Sequence, residues 1–270
     1  MVPVRLCNLP PFPAVAVNIL SEPEESKSDI KRLATIVEGD PALAADILFL
    51  ANSSLFGFPA RIDSVRHAVA VLGADRVNIL AVTVAMRQLA RGTGPLIRPV
   101  WEHSIACAIV AARLAPLFGC AEDQSYTAGL LHDVGRLGFL RSYPVEIGLV
   151  MRGEFENLDE AMATEQLAVK ADHGQAGAWL VEYWALPPSL ALTCEHHHAP
   201  LQEREPATLQ VVKIACRVAD ALGYSVFHLR SSPTYEDVVR SVHKCLGRNV
   251  LPPEAEMRKF VEDRSKLFQH

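Results

Sequence analysis

An all-α protein is what this sequence predicts, and three observations predict it. Apolar residues recur at three- and four-residue spacing along nearly the whole chain, the period of one helical face. Helix start and stop residues bracket those stretches. No segment alternates with period two for long enough to require a sheet.

The elements follow in order. Leu9-Pro-Pro-Phe-Pro13 reads as a stiff extended lead-in, since proline restricts both itself and the residue before it. Ser26 and Asp29 are expected to form a capping box for a helix carrying Ile30, Leu33, Ile36 and Val37, which Gly39 ends. Asp40-Pro41 opens the next helix, with Asp as cap and Pro where its missing N–H does no harm, and the helix runs through Leu43, Ile47, Leu48 and Leu50 toward Asn52. Ser64 starts a shorter helix (Val65, Ala68, Val69, Leu72) that stops at Gly73, and a longer one extends from about Ala74 to Leu89. Arg91-Gly-Thr-Gly-Pro95 is the clearest break; it sets an expected boundary, and a hinge, between an N-terminal lobe of residues 1–95 and a second lobe of residues 96–270. Further helices are expected at 101–117, 123–131, 159–169, 173–184, 188–198 and 206–222, with stops at Gly119, a turn at Gly135–Gly138, Pro187 and Gly223. Thr234 with Asp237 caps a helix ending at Gly247, and Pro252-Pro253 precedes a charged accessory helix reaching about Leu267.

Composition narrows the function. Half the residues are apolar, 21% are charged, and the formal charge is −5. Basic residues are dispersed, the densest cluster being Lys213 with Arg217, so nucleic acid is not an expected partner. The apolar segments read as too short or too interrupted by charge to cross a membrane. Six cysteines form no C-x-x-C pair, and Met1–Pro11 does not resemble a signal peptide, so reduced thiols in a cytoplasmic protein are expected. Cys107, Cys120, Cys194 and Cys216 read as small apolar fillers, with Cys194 near the histidine run.

Six of the ten histidines fall between residues 103 and 198: His103, His132, His173, His196, His197 and His198. His132 is followed by Asp133, and Asp220 lies late in the 206–222 helix. Singly, each has an ordinary reading: a core histidine, a turn-capping Asp, a solvated His run, an Asp paired with Arg217. Jointly they point to a site between packed helices. Imidazole with carboxylate suits iron, manganese, zinc or another first-row divalent ion. Asp133 is placed to bridge two ions if two are present, and two ions can activate water and steady the leaving oxygen of a phosphodiester. Gly129, Gly174 and Gly177 read as points of close helix approach, and neither a nucleotide-binding glycine loop nor a nucleophile elbow is present.

Residues about 7–225 resemble the HDOD family, signalling domains related to the HD phosphohydrolases. The resemblance runs through Leu9–Pro13, Asp40-Pro41 with Ala51-Asn52-Ser53, Ser64–Gly73, Trp101-Glu-His-Ser104, Gly129-Leu-Leu-His-Asp-Val-Gly135, Glu165 with His173 and Gly177, Trp184–Pro187, and His197-His198-Ala-Pro200. It implies an N-terminal helical lobe packed on an HD-type multi-helix domain. It implies a first metal position from His103, His132, Asp133 and Asp220, and a second from His173, His197 and His198 with Asp133 shared, the ions being one or two in number with iron or manganese favoured. HD-GYP relatives carry a lysine where this chain has Arg136, and their Gly-Tyr-Pro segment is replaced here by Ala199-Pro-Leu-Gln-Glu; cyclic-di-GMP hydrolysis is not implied. The expected function is a regulatory signalling protein that holds metal, takes a phosphorylated small molecule and acts on a protein partner through the N-terminal lobe. The alternative is a metal-dependent phosphohydrolase or phosphodiesterase in which Asp133 bridges the ions and Arg136 or Lys213 steadies phosphate charge. A metal-free helical scaffold is the third reading.

Overall fold

The computed structural model describes residues 3–21, 29–52 and 61–268, and these are almost entirely helical. After a 3₁₀ turn at Val4–Asn8, the N-terminal part contains α1 (Ala14–Ser21), α2 (Ile30–Glu38), α3 (Pro41–Ala51), α4 (Val65–Leu72) and α5 (Ala74–Ala90). The second part contains α6 (Ile97–Leu114), α7 (Glu122–Leu131), α8 (Val134–Ser142), α9 (Pro144–Met151), α10 (Leu158–Val169), α11 (His173–Tyr183), α12 (Pro188–His196), α13 (Ala207–Ala221), α14 (Tyr235–Leu246) and α15 (Glu254–Ser265). Two short strands, β1 (Glu154–Phe155) and β2 (His228–Leu229), pair in parallel and tie the loop before α10 to the loop before α14.

Local chemistry sets the helix ends. The Asp29 carboxylate accepts from the amides of Lys31 (2.9 Å) and Arg32 (3.2 Å), so Asp29 is itself the cap of α2, and Ser26 lies outside the described residues. Asp40 caps α3 with Pro41 in the first turn. At the other end of α3 the Asn52 amide donates to the carbonyls of Leu48 (2.7 Å) and Ile62 (2.8 Å), while its oxygen accepts from the Ile62 amide (2.8 Å). This staple returns the chain to Ser64, which caps α4. Thr234 and Asp237 form the expected capping box on α14.

Three expectations are corrected. α6 starts at Ile97 rather than residue 101, because Pro99 sits in its first turn, where no intrahelical N–H bond is lost. Residues 134–138 are not a turn but the start of α8, and α1 and α9 were not anticipated. By length and composition Ile97–Phe118 does suffice to cross a bilayer, yet 67% of its apolar window is buried inside the protein, as a core helix requires.

α6 is the central column, packed by α7, α13 and α15, while α11 packs on α8 and α12. Buried side chains from both sides of the 91–95 break belong to one continuous core. Across the break itself, Arg141 holds the carbonyls of Leu89 (2.7 Å) and Arg91 (2.9 Å). Two crossings depend on missing side chains. A Cβ at Gly129 would lie 2.9 Å from Ala108 Cα, which is how α7 approaches α6. A Cβ at Gly135 would lie 1.9 Å from the His173 carbonyl oxygen and 2.6 Å from the Gly177 nitrogen, so α8 and α11 touch backbone to backbone. Because the obstacle is main chain, Gly135→Ala is expected to destabilise by about 3 kcal/mol or more, a fall in Tm of roughly 6–12 °C; a thermal melt within a degree or two of wild type would show that the crossing is looser than described.

Candidate metal centre

Asp133 stands at the corner between α7 and α8, His132 ends α7, His173 starts α11, His197 ends α12 and His103 sits mid-way along α6. His103, His132, Asp133, His173 and His197 are all buried. Four of the rings share one feature. Nδ1 faces a fixed acceptor: the Tyr224 carbonyl for His103 (2.9 Å), the Gly129 carbonyl for His132 (2.6 Å), the Cys194 carbonyl for His197 (2.7 Å), and Glu165 Oε2 for His173 (2.6 Å). Carbonyl and carboxylate oxygens only accept, so Nδ1 carries the proton and Nε2 is left with its lone pair, which in His173 accepts from Arg136 Nη2 (3.2 Å).

Those lone pairs converge. Nε2 of His103 and His132 are 3.2 Å apart, and Nε2 of His173 and His197 are 3.3 Å apart. Asp133 faces both pairs: Oδ1 lies 3.4 Å from Nε2 of each of His173 and His197, and Oδ2 lies 3.9 Å from Nε2 of each of His103 and His132. Asp133 Oδ1 and His198 Nε2 are buried without a hydrogen-bond partner. Facing lone pairs repel unless a cation lies between them, and two nitrogens about 2.0–2.1 Å from one tetrahedral ion stand roughly 3.4 Å apart. The donors therefore fit metal in two adjoining groups, His103–His132–Cys216 and Asp133–His173–His197–His198. Imidazoles oriented through Nδ1 by carbonyl or carboxylate are the usual arrangement of metal-binding histidine.

Electrostatics suit the same role. Burial pushes His132 and His198 well below the ordinary imidazole range and lowers His197, keeping these rings neutral. Burial opposes ionisation of Asp133, but the Arg136 guanidinium bonded to it outweighs this and holds the carboxyl well below its usual range. Arg136 is the built-in cation of the centre: Nε donates to Asp133 Oδ2 (3.0 Å), Nη1 to Glu165 Oε1 (2.9 Å) and Nη2 to His173 Nε2 (3.2 Å), with the guanidinium 4.4 Å over the Phe227 ring.

Residues 9–200 match the HDOD domain family. The chain belongs to that family. Among its relatives, an uncharacterized protein of Treponema pallidum (strain Nichols) is 25% identical over 199 residues, covering 72% of this chain; the chain spans only 38% of that relative's length. An HDOD domain protein of unknown function from Geobacter sulfurreducens superposes with a TM-score of 0.72 at 25% identity, covering 99% of both chains. A candidate signal transduction protein from Marinobacter aquaeolei VT8 gives 0.73 at 24% identity over 97% of this chain and 59% of its own. The fold also recurs in a candidate phosphohydrolase from Shewanella amazonensis SB2B (TM-score 0.72, 17% identity, 98% and 96% covered).

Within this HDOD protein the site residues expected from sequence fall into three sets. His103, His132, Asp133, His173, His197 and His198 come together, and His196 points away into solvent. Asp220 lies behind His103, with Oδ1 3.5 Å from Nδ1 rather than on the Nε2 side; burial, with Asp133 adding, raises its carboxyl. Neither expected phosphate cation is free. Arg136 is used inside the centre, and the buried Lys213 ammonium is paired with Glu205 and the Pro200 carbonyl (3.1 Å). Two contributors went unread as site residues. Cys216, which reads in sequence as a filler, places Sγ 3.6 Å from His103 Nε2, and its spacing one turn before Asp220 on α13 is the available signal. Glu165, eight residues before His173, orients that ring and anchors Arg136. A cavity of about 410 Å³ opens onto His198 and Asp220 and is walled by Asp159, Asp237 and Arg217, whose guanidinium donates to the Ala199 carbonyl (3.2 Å). Its wall thus carries three carboxylates to one arginine.

The lowered histidines predict a pH dependence. Above about pH 6.5 the imidazoles are neutral in folded and unfolded chains alike, and their contribution to stability is fully present. As pH falls through that value the unfolded chain takes up protons first, so stability is lost until the lower folded values are reached. Asp220, raised in the folded state, works the other way only in the carboxylate range. The Tm of metal-free protein is expected to fall steadily between about pH 6.5 and 5.5; a flat profile there would contradict the buried neutral rings.

Proposed function

We propose that this chain is a regulatory signal-transduction protein whose HD-type centre holds a divalent ion as a structural and signalling element. The observation that carries this reading is the set of four imidazoles oriented through Nδ1 with their lone pairs turned on one another. Asp133 Oδ1 and His198 Nε2 are the unpartnered donors of one group, a histidine/carboxylate set that favours iron or manganese. A bound divalent ion supplies positive charge that ties α6, α7, α11 and α12 together at one point. The chain's own residues do the rest: Gly129, Cys194, Tyr224 and Glu165 hold the rings, and the surrounding apolar core keeps bulk water out.

The acidic wall of the cavity favours regulation over phosphate turnover, since it repels an anionic substrate where a hydrolase would attract one. A phosphorylated small molecule remains within the proposal only as a ligand whose charge the bound ion offsets. A protein partner is placed on the N-terminal helices, where Phe49 of α3 is 67% exposed, and the Arg91–Pro95 break between the 1–95 and 96–270 lobes is the point of relay. Six unpaired cysteines favour a reducing, cytoplasmic setting. The second reading, a metal-dependent phosphohydrolase or phosphodiesterase, is favoured by one observation: Asp133 turns one oxygen to each group, as a bridging carboxylate of a two-ion enzyme does.

Elemental analysis of untagged protein purified without chelators tests the proposal. About one equivalent of transition metal is expected, lost in Asp133→Ala. Metal-free wild type that regains none on incubation with iron, manganese or zinc would end the metal reading. Robust turnover of phosphomonoesters or cyclic dinucleotides, abolished in Asp133→Ala, would put the hydrolase reading in its place.

A further inference from the structure

The two donor groups differ in chemistry. Asp133–His173–His197–His198 is all nitrogen and oxygen, whereas His103–His132–Cys216 contains sulfur. The resemblance to HD proteins assigns Asp220 to the ion held by His103 and His132, but α13 presents a different residue to that side. Cys216 Sγ is 3.6 Å from His103 Nε2, the bare lone pair, while Asp220 sits against Nδ1, the protonated edge. One helical turn separates the two residues, so the same face of α13 delivers sulfur to the front of the ring and carboxylate to its back.

We propose that His103, His132 and Cys216, completed by Oδ2 of Asp133, form a zinc-class site in which the Cys216 thiolate takes the position expected of Asp220. This rests on the reading of the cluster as a metal centre and adds the ligand and the metal class. Four observations support it. The separations of the three match: nitrogens at about 2.0–2.1 Å and sulfur at about 2.3 Å from a tetrahedral ion stand roughly 3.4–3.5 Å from one another, against 3.2 Å between the nitrogens and 3.6 Å from sulfur to nitrogen here, while Asp133 Oδ2, 3.9 Å from both nitrogens and already accepting from Arg136 Nε, must close by roughly half an ångström to complete the set. All three side chains are at most 2% exposed, so the site is closed to water, as structural zinc sites are. Charge balances, because one thiolate and one carboxylate cancel a divalent ion in a region where a net charge is costly. Donor softness decides the metal, since a thiolate selects zinc over manganese or magnesium. On binding, the S–H bond breaks, the sulfur lone pair goes to the ion and the proton leaves to solvent.

Cobalt(II) reports the ligand directly, because sulfur bound to cobalt gives a near-ultraviolet charge-transfer band that nitrogen and oxygen donors do not. The full-length protein, stripped of metal and titrated with Co²⁺ alone, is expected to develop that band. Cys216→Ser and Cys216→Ala should lose it, circular dichroism confirming that each variant is folded. Cys107→Ser should keep it. Asp220→Asn removes only an acceptor behind His103 and should keep the band, its affinity falling no more than about 10–100-fold. Zinc should displace the cobalt and erase the band, and an equal concentration of manganese should not. Cobalt binding without the band overturns the proposal and leaves the metal reading standing, as does a band that survives in folded Cys216→Ser or disappears in folded Asp220→Asn. No cobalt binding at all overturns the metal reading itself.

Discussion

The centre of this protein is organised by where four protons are. Each of His103, His132, His173 and His197 has its Nδ1 proton committed to an acceptor that the fold fixes in place, three of them main-chain carbonyls close to helix ends. With those protons committed, the opposite nitrogens have nothing to offer one another but lone pairs, and the packed helices hold them 3.2–3.3 Å apart. The core is built around an arrangement that repels itself unless positive charge is supplied. Part of that charge is permanent: Arg136 enters from α8 and bonds Asp133, Glu165 and His173 at once. The clustered donors are arranged so that a metal ion can supply the remainder.

Burial makes the arrangement selective rather than merely crowded. In water a histidine cluster would relieve itself by protonation; here burial works against the charged form of His132, His197 and His198. Asp133 stays ionised in the same surroundings because the Arg136 guanidinium outweighs its desolvation. Neutral nitrogens around an ionised carboxylate are what a divalent ion requires. The outer cavity is lined by Asp159, Asp220 and Asp237 together with Arg217.

Much of this was legible in the sequence, for reasons that can be named. Caps are local, so Asp40-Pro41, Ser64 and the Thr234–Asp237 box could be read directly and stand where expected. The cluster was legible because histidine and aspartate are few and their order is distinctive. What failed was whatever depends on direction across helices. Gly135 and Gly138 look like a turn in one dimension; in three they are the flat side of α8 against α11 and the N-terminal segment. Cys216 and Asp220 lie one turn apart, and which of them meets the open edge of His103 depends on how α13 is rotated against α6, information that periodicity does not carry. Glu165 was visible as a matching residue, but its task appears only when α10 is seen beside the start of α11. Arg136 was legible as a cation and misjudged as a free one, because its partners lie up to 37 residues away.

The contact between Gly135 and the His173 carbonyl joins two requirements that evolution can treat separately. The glycine is demanded by backbone geometry whatever the identity of residue 173, because it is the carbonyl of that residue that presses on it. The imidazole is demanded only while the centre needs its donor. Under drift, a descendant chain free to lose the donors would be expected to shed its histidines and keep the glycine. The persistence of the glycine in such a lineage would record the architecture, and only the rings would record the chemistry.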